Sequence, residues 1–196
     1  TARERATNFA INEQGFDEQK FTVYASAQIH SSIEKAVKIA GIGSAQFRQI
    51  PTDENFALRA EVLEETIIKD IANGFKPVCV ISAIGTTSTT AIDPVAEISS
   101  ICKAHNIWHH VDAAYAGTAL ILPEMRWMSA GVEHADSFVF NPHKWMFTNF
   151  DCTAYFVKDP VALVNTFAIT PDYLKTSVDE EVKNYRDWGI PLGRRF

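Results

Sequence analysis

The chain has 196 residues, which is enough for one domain with a sizeable hydrophobic core. Its formal net charge is −6 at pH 7 and the charges are interspersed, so there is no basic stripe for nucleic acid or an anionic membrane. Apolar runs such as Pro77–Ala83 are too short to cross a bilayer, and the first residues lack the apolar segment of a secretory signal. We therefore expect a cytoplasmic protein that binds neither nucleic acid nor membrane.

The three cysteines, Cys79, Cys102 and Cys152, are scattered and lack the paired spacing of structural metal sites. This usage is typical of reduced thiols in a cytoplasmic protein. We expect no metal ion to be bound.

Short β-rich runs alternate with helical patterns along the chain, and no repeat or linker interrupts them. We predict strands at Phe21–Ser26, Ala45–Ile50, Val78–Ala83, Ile107–Val111, Ser137–Asn141 and Thr153–Val157. Strands that alternate with helices indicate an α/β fold, in which a mostly parallel sheet is covered by helices.

Three helices are predicted between these strands. Apolar residues recur at helical spacing in Ser32–Ala40, which Gly41 ends, and again in Arg59–Gly74, where the glycine forms the C-terminal cap. The third helix is predicted to begin with Asp93 as N-cap and Pro94 as its first residue, and to run to about His105.

Thr87, Asp112 and Lys144 each lie at or just past the carboxyl end of a predicted strand. Open α/β sheets bind ligands in the crevice at this edge. The three side chains are therefore expected to share one site.

A lysine and an aspartate at neighbouring strand ends are the groups that pyridoxal phosphate chemistry requires. The aldehyde of this cofactor needs an amine to form a Schiff base, and its ring nitrogen needs a carboxylate that keeps it protonated. Lys144 supplies the amine and Asp112 the carboxylate, if both reach one pocket.

Four stretches of the sequence resemble the group II pyridoxal-phosphate decarboxylases, and among these the aromatic L-amino acid decarboxylases. They are AIGTTSTTAIDP (83–94), IWHHVDAAYAGTAL (107–120), HADSFVFNPHKWMFTNFDC (134–152) and YRDWGIPLGRRF (185–196). The resemblance extends over nearly all of the chain from Phe21 onward. It implies the large domain of a fold-type I pyridoxal-phosphate enzyme, with the cofactor covalently attached to Lys144.

The resemblance also implies roles for the residues around Lys144 and Asp112. In the family, the residue matching His30 stacks on the open face of the cofactor ring near the substrate carboxylate, and the residue matching Ala114 packs against a ring face. Further cofactor contacts are implied for Thr87, for Asn141 towards the phosphate, and for His143. His109 departs from the aliphatic residue usual in relatives, and we interpret it as a packing variant.

The polar stretch 168–181 is long enough to be a mobile catalytic loop. In the family a tyrosine of this loop, here Tyr173, donates a proton to the substrate Cα after carbon dioxide leaves. Relatives with phenylalanine at that position form an aldehyde instead. Tyr173 therefore favours amine formation.

These features predict decarboxylation of aromatic L-amino acids to the amine and carbon dioxide by a homodimer with shared active sites. Three alternatives stay open: an aromatic aldehyde synthase, a histidine decarboxylase, and a truncated protein without activity. The family's phosphate-binding turn is expected upstream of residue 1 and its small C-terminal domain downstream of Phe196, so residues 1–196 are interpreted as a partial large domain.

Overall fold

The computed structural model describes residues 1–169 and 185–189. These residues belong to two compact units, one comprising residues 16–158 and the other residues 3–15, 159–169 and 185–189. The helices are α1 (Ala2–Ala6), α2 (Ala10–Gln14), α3 (Ser32–Ile39), α4 (Ala60–Ala72), α5 (Val95–Ala104), α6 (Pro142–Trp145) and α7 (Pro160–Phe167). The strands are β1 (Phe21–Ser26), β2 (Phe47–Ile50), β3 (Lys76–Ala83), β4 (Trp108–Asp112), β5 (Ser137–Phe140) and β6 (Ala154–Val157).

All six strands form one sheet in the unit of residues 16–158, in the order β2-β1-β3-β4-β5-β6. The strands from β2 to β5 pair in parallel, and β6 pairs with β5 in the antiparallel direction. In this register Ala83 is the partner of Asp112, and Asp112 is the partner of Val139. The predicted α/β fold with a mostly parallel sheet is confirmed.

Two apolar clusters form the core of this unit. Tyr24, Leu63, Ile67, Val80 and Ile98 belong to one cluster, in which α4 and α5 cover β1 and β3. The other cluster lies nearer the carboxyl ends of the strands and includes Ile84, Val95, Val111, Ala113 and Met128. The second cluster fixes the backbone from which the residues after β3 and β4 project.

Most ends of the strands and helices lie one or two residues from their predicted positions. Strand β2 begins at Phe47 rather than Ala45, because Ser44–Gln46 forms a 3-10 turn. Asp112 is the last residue of β4, one position beyond the predicted end of that strand.

The prediction that Asp93 caps the third helix is wrong. Helix α5 begins at Val95 with Pro94 at the N-cap position, and it has no side-chain cap. The buried Asp93 carboxylate instead accepts the backbone N–H of Leu58 at 2.7 Å and that of Ala83 at 2.7 Å. Backbone N–H donors buried away from water need acceptors, and Asp93 serves two of them.

The unit that contains residues 3–15 begins with two short helices, α1 and α2. Asn8 and Phe9 have positive φ angles, which separates α1 from α2. Asn12 donates from its side chain to the carbonyl of Thr166 at 2.7 Å, and Asp159 caps α7 by accepting the N–H of Ala162. No helix within residues 1–169 and 185–189 is long and apolar enough to cross a membrane.

Candidate active site

A pocket of about 420 Å³ opens at the carboxyl ends of the parallel strands. Six of the residues predicted for the site line it: His30, Thr87, Asp112, Ala114, Asn141 and Lys144. They come from four separate places along the chain, following β1, β3, β4 and β5. A concave site of this size is adequate for a small cofactor or substrate.

The carboxylate of Asp112 is held by the turn that follows β4. Its Oδ1 accepts the backbone N–H of Ala114 at 3.0 Å, and the N–H of Ala113 is bonded to the carbonyl of Val139 at 2.9 Å. The side chain is half-buried and lines the pocket. The turn thus presents a negative charge at the wall of the pocket from a fixed backbone.

Lys144 lies in the short helix α6, which begins two residues after β5. Pro142 is the first residue of this helix, where its fixed φ favours the first turn. The backbone N–H of Lys144 is bonded to the carbonyl of Asn141 at 2.9 Å. Its side chain is exposed and lines the pocket, so the amine is accessible to a ligand there.

Gly85 allows the Thr87 loop to approach the segment after Asp112. Its φ of +82° favours glycine, and an added Cβ would lie 2.5 Å from the Cβ of Ala116. Within the loop, the hydroxyl of Thr86 is hydrogen-bonded to that of Thr89 at 2.7 Å and accepts the N–H of Ala91 at 3.0 Å. These contacts shape the loop that places Thr87 at the pocket.

Asn141 and His143 differ in their relation to the pocket. Asn141 lines it, and its Oδ1 is buried without a hydrogen-bond partner among the described residues. His143 is not among the described residues that line the pocket. Its Nδ1 accepts the N–H of Cys152 at 3.0 Å and its ring contacts Phe150, with centroids 4.8 Å apart. The cofactor contact of His143 therefore stays a prediction.

His110 also lines the pocket, and the sequence interpretation missed it. Its Nδ1 is 2.8 Å from the hydroxyl of Ser137, which also accepts the indole N–H of Trp108 at 2.9 Å. Burial lowers the pKa of His110, and the negative charge of Asp112 opposes this effect. Side chains two apart on a strand share a face, so its position before Asp112 was an available signal.

His109 faces away from the pocket-lining set and is almost fully buried, with 1% exposure. Its Nε2 is 2.8 Å from the hydroxyl of Ser82, and its Nδ1 is 2.9 Å from that of Ser99. Burial lowers the pKa of His109 to about 3, and the neighbouring His110 adds to the effect. The ring is consequently neutral near pH 7 and joins β3, β4 and α5 through hydrogen bonds. Tyr173, the predicted proton donor, lies outside the described residues.

The family model described as the pyridoxal-dependent decarboxylase conserved domain matches residues 2–196. The chain belongs to this family. It is 48% identical over 177 residues to an aromatic-L-amino-acid decarboxylase of Drosophila lebanonensis, covering 90% of this chain and 43% of that protein. It is 47% identical over 182 residues to a phenylacetaldehyde synthase of Arabidopsis thaliana, covering 91% of this chain and 37% of that protein.

Among solved structures, that of Oryza sativa TDC with PLP and tryptamine superposes with a TM-score of 0.91 at 37% identity. The match covers 99% of this chain and 40% of that protein. The chain thus spans about two fifths of the length of these relatives. Pyridoxal phosphate is the cofactor on which this decarboxylase family depends.

The described pocket residues fit this cofactor. A pyridinium nitrogen needs an anion, an aldehyde needs an amine, and a phosphate needs hydrogen-bond donors. Asp112 and Lys144 offer the first two groups from one pocket. Within the described part of the chain, the buried amide oxygen of Asn141 has no hydrogen-bond partner. Because amide oxygen and nitrogen are assigned from the hydrogen-bond network, its NH2 group can equally be directed to a ligand oxygen.

Proposed function

We propose that the protein containing this chain decarboxylates aromatic L-amino acids to the corresponding amines, with pyridoxal phosphate attached to Lys144. The observation that supports this most directly is that the Lys144 amine and the Asp112 carboxylate line a single pocket at the carboxyl edge of the sheet. The family match alone supports a decarboxylase, and the pocket supplies the two groups on which its chemistry depends.

When bound, the cofactor supplies an electron sink for the electrons released as carbon dioxide leaves the substrate Cα. Asp112 would pair its carboxylate with the ring nitrogen and so keep that nitrogen protonated. The turn bond from Ala114 to the Asp112 Oδ1 keeps that carboxylate in place. Ala114 and His30 would bound the two faces of the ring, Asn141 would hold the phosphate, and Thr87 would contact the phenolic oxygen or the substrate; all four residues line the pocket.

Tyr173 then donates its hydroxyl proton to Cα, which commits the reaction to the amine. Retention of this hydroxyl is the reason for preferring the decarboxylase. The aromatic aldehyde synthase is the second candidate, because the chain is 47% identical to the phenylacetaldehyde synthase of Arabidopsis thaliana. Both reactions use the same pocket and differ in the fate of the Cα after carbon dioxide has left.

The aromatic substrate class rests on the names of relatives that are 46–48% identical to this chain. Histidine is the competing substrate, because histidine decarboxylases share the motif around Lys144. We place the protein in the cytoplasm as a homodimer whose partner subunit contributes to the site.

The test uses the full-length protein that contains this chain. Borohydride reduction of the cofactor-loaded protein followed by peptide mapping is expected to give a stable adduct on Lys144. Lys144→Ala abolishes both the adduct and the visible absorbance of the bound cofactor, whereas the exposed Lys103→Ala control in α5 preserves both. An adduct on another lysine would overturn the assignment.

A second measurement identifies the substrate. Amine release is compared for dopa, tyrosine, tryptophan, 5-hydroxytryptophan, phenylalanine and histidine. The proposal expects turnover of one or more aromatic amino acids. Turnover of histidine alone, or aldehyde as the main product, would contradict it.

A further inference from the structure

The ring of His30 is held on one side by the residue two positions further along the chain. The Nδ1 of His30 lies 2.8 Å from the Ser32 hydroxyl, and it accepts the backbone N–H of Ser32 at 3.2 Å. Ser32 is the first residue of α3, where backbone N–H groups lack partners within the helix. The imidazole therefore satisfies a donor at the start of this helix.

The backbone bond decides which tautomer the neutral ring adopts. A hydroxyl can donate or accept, so a bond to a hydroxyl leaves the position of the ring proton open. A backbone N–H can only donate, so the His30 Nδ1 that receives it must present a lone pair. The proton of the neutral ring is then on Nε2.

The two histidines of strand β4 provide a contrast. His109 and His110 are bonded through their ring nitrogens to the hydroxyls of serines, and these contacts are compatible with either tautomer. Among these three rings, His30 alone has its tautomer fixed by a backbone donor. It also lines the pocket together with Asp112 and Lys144.

We propose that Ser32 is a positioning residue that holds His30 as the Nε2–H tautomer, so that the ring acts as a hydrogen-bond donor towards the substrate carboxylate. This inference rests on the proposed function for the identity of the acceptor. With Nδ1 occupied by Ser32, Nε2 is the ring nitrogen left for a ligand. An Nε2–H attracts a carboxylate oxygen, whereas an Nε2 lone pair would repel it.

Ser31 offers a matched control for Ser32. The two serines are adjacent and exposed, but Ser31 occupies the N-cap position of α3 without forming a side-chain cap. The Ser31→Ala variant therefore measures the general effect of removing a serine hydroxyl at the start of α3. Ser32→Thr retains the hydroxyl and tests rescue.

The tautomer is measured directly by NMR on the full-length protein labelled with 15N in its histidines, without cofactor and with it. The His30 signal is assigned by its loss in His30→Gln. We expect Nδ1 to give the signal of an unprotonated ring nitrogen and Nε2 that of a protonated one. A neutral ring that carries its proton on Nδ1 would overturn the proposal, and this result does not depend on any enzymatic activity.

The effect on recognition is measured by comparing an amino acid with the amine that lacks its carboxylate. Loss of the Ser32 hydroxyl in Ser32→Ala leaves only the backbone donor, so we expect KM for the amino acid to rise about threefold to tenfold. Inhibition by the product amine should stay as in the wild type, because the amine has no carboxylate to meet the ring. Ser31→Ala should match the wild type for both ligands, and Ser32→Thr should restore KM.

Equal weakening of amino acid and amine in Ser32→Ala would show a general distortion of the site and would overturn the carboxylate role. An unchanged KM would overturn the positioning role of the hydroxyl. If no amino acid is decarboxylated by the wild type, the proposed function fails, while the NMR result still decides the tautomer. The two failures are thereby distinguishable.

Discussion

The phenol ring of Tyr115 stacks on the indole of Trp145, with centroids 4.8 Å apart and ring planes 5° from parallel. Tyr115 follows Asp112 by three positions, and Trp145 directly follows Lys144. The stack therefore connects the two segments that carry the carboxylate and the amine of the site. Both rings remain partly exposed, at 42% and 39%.

We predict that Tyr115→Leu weakens cofactor binding, because it removes the stack that supports α6 beside the turn after β4. Aromatic pairs contribute about 0.5–1.5 kcal/mol beyond area burial, which corresponds to a roughly twofold to tenfold higher Kd for pyridoxal phosphate. Tyr115→Phe keeps the stack and should bind as the wild type does. The measurement is an absorbance titration of the cofactor-free protein. A leucine variant with wild-type affinity would show that the stack does not support the site.

We predict that Asp112→Asn lowers turnover but leaves the attachment of the cofactor to Lys144 intact. The asparagine oxygen can still accept the N–H of Ala114, so the turn after β4 is expected to persist. The negative charge that keeps the ring nitrogen protonated is lost, and we expect kcat to fall by roughly 10²–10³-fold, as for other preorganised electrostatic groups.

Attachment to Lys144 in the Asp112→Asn variant should remain, as borohydride trapping would report. Asp112→Glu keeps the charge and provides the comparison for a displaced carboxylate. Wild-type turnover in the asparagine variant would remove Asp112 from the assigned role.

Asp93 is expected to be important for stability and to have little direct part in catalysis. Asp93→Ala leaves the N–H groups of Leu58 and Ala83 buried without their acceptor. Because each unsatisfied buried donor costs about 1–3 kcal/mol, we expect a loss of unfolding free energy on the order of 3 kcal/mol. Urea unfolding of the full-length protein, compared with Asp93→Asn as an intermediate case, measures it. A wild-type urea midpoint in the alanine variant would contradict the contact.

The order of strands and helices was predictable because apolar alternation and helical spacing report burial directly. The location of Thr87, Asp112 and Lys144 at strand ends followed from the same pattern, and the structure brings all three to one pocket. Their chemistry was suggested by residue type. The motifs that resemble the decarboxylase family selected these residues, and the strand pattern then predicted that they share one edge of the sheet.

Long-range hydrogen bonds were not predictable from local sequence. Asp93 has the sequence of an N-cap, yet its partners Leu58 and Ala83 lie 35 and 10 positions away. The same holds for His109, whose bond to Ser82 spans 27 positions. In both cases the side chain is hydrogen-bonded to buried donors or acceptors elsewhere in the fold. A local sequence pattern gives no information about such partners.

Tyr173 determines the product if it donates the proton to Cα. We predict that Tyr173→Phe forms little amine and instead converts the substrate with dioxygen and water to aldehyde, carbon dioxide, ammonia and hydrogen peroxide. The reason is that phenylalanine has no proton to give. Tyr185→Phe, at an exposed tyrosine, provides the matched control and should leave the products unchanged. Quantifying amine, aldehyde and peroxide after complete turnover tests this, and an unchanged amine yield would reject it.

His109 and Asp93 are expected to give opposite pH dependences to the unfolding free energy. The pKa of His109 falls from 6.5 to about 3 through burial, so below pH 6.5 the unfolded chain binds a proton that the native ring does not. Its contribution to stability is present above pH 6.5 and is lost towards pH 3, by up to about 5 kcal/mol. Burial raises the pKa of Asp93 from 3.8 to about 6. Between these two pH values the native carboxyl group is protonated, whereas that of the unfolded chain is ionised.

The contribution of Asp93 therefore grows by about 3 kcal/mol as the pH falls from 6 to 4, which partly offsets that of His109. Relative to the wild type, His109→Leu should become progressively more stable on acidification, and Asp93→Asn progressively less stable. Urea unfolding of the three proteins between pH 4 and 7 measures how each variant's unfolding free energy differs from that of the wild type at each pH. A pH-independent cost of the lost hydrogen bonds shifts this difference by a constant and does not change its slope against pH. Parallel stability curves for His109→Leu and the wild type would show that the native ring binds its proton as readily as the unfolded chain does.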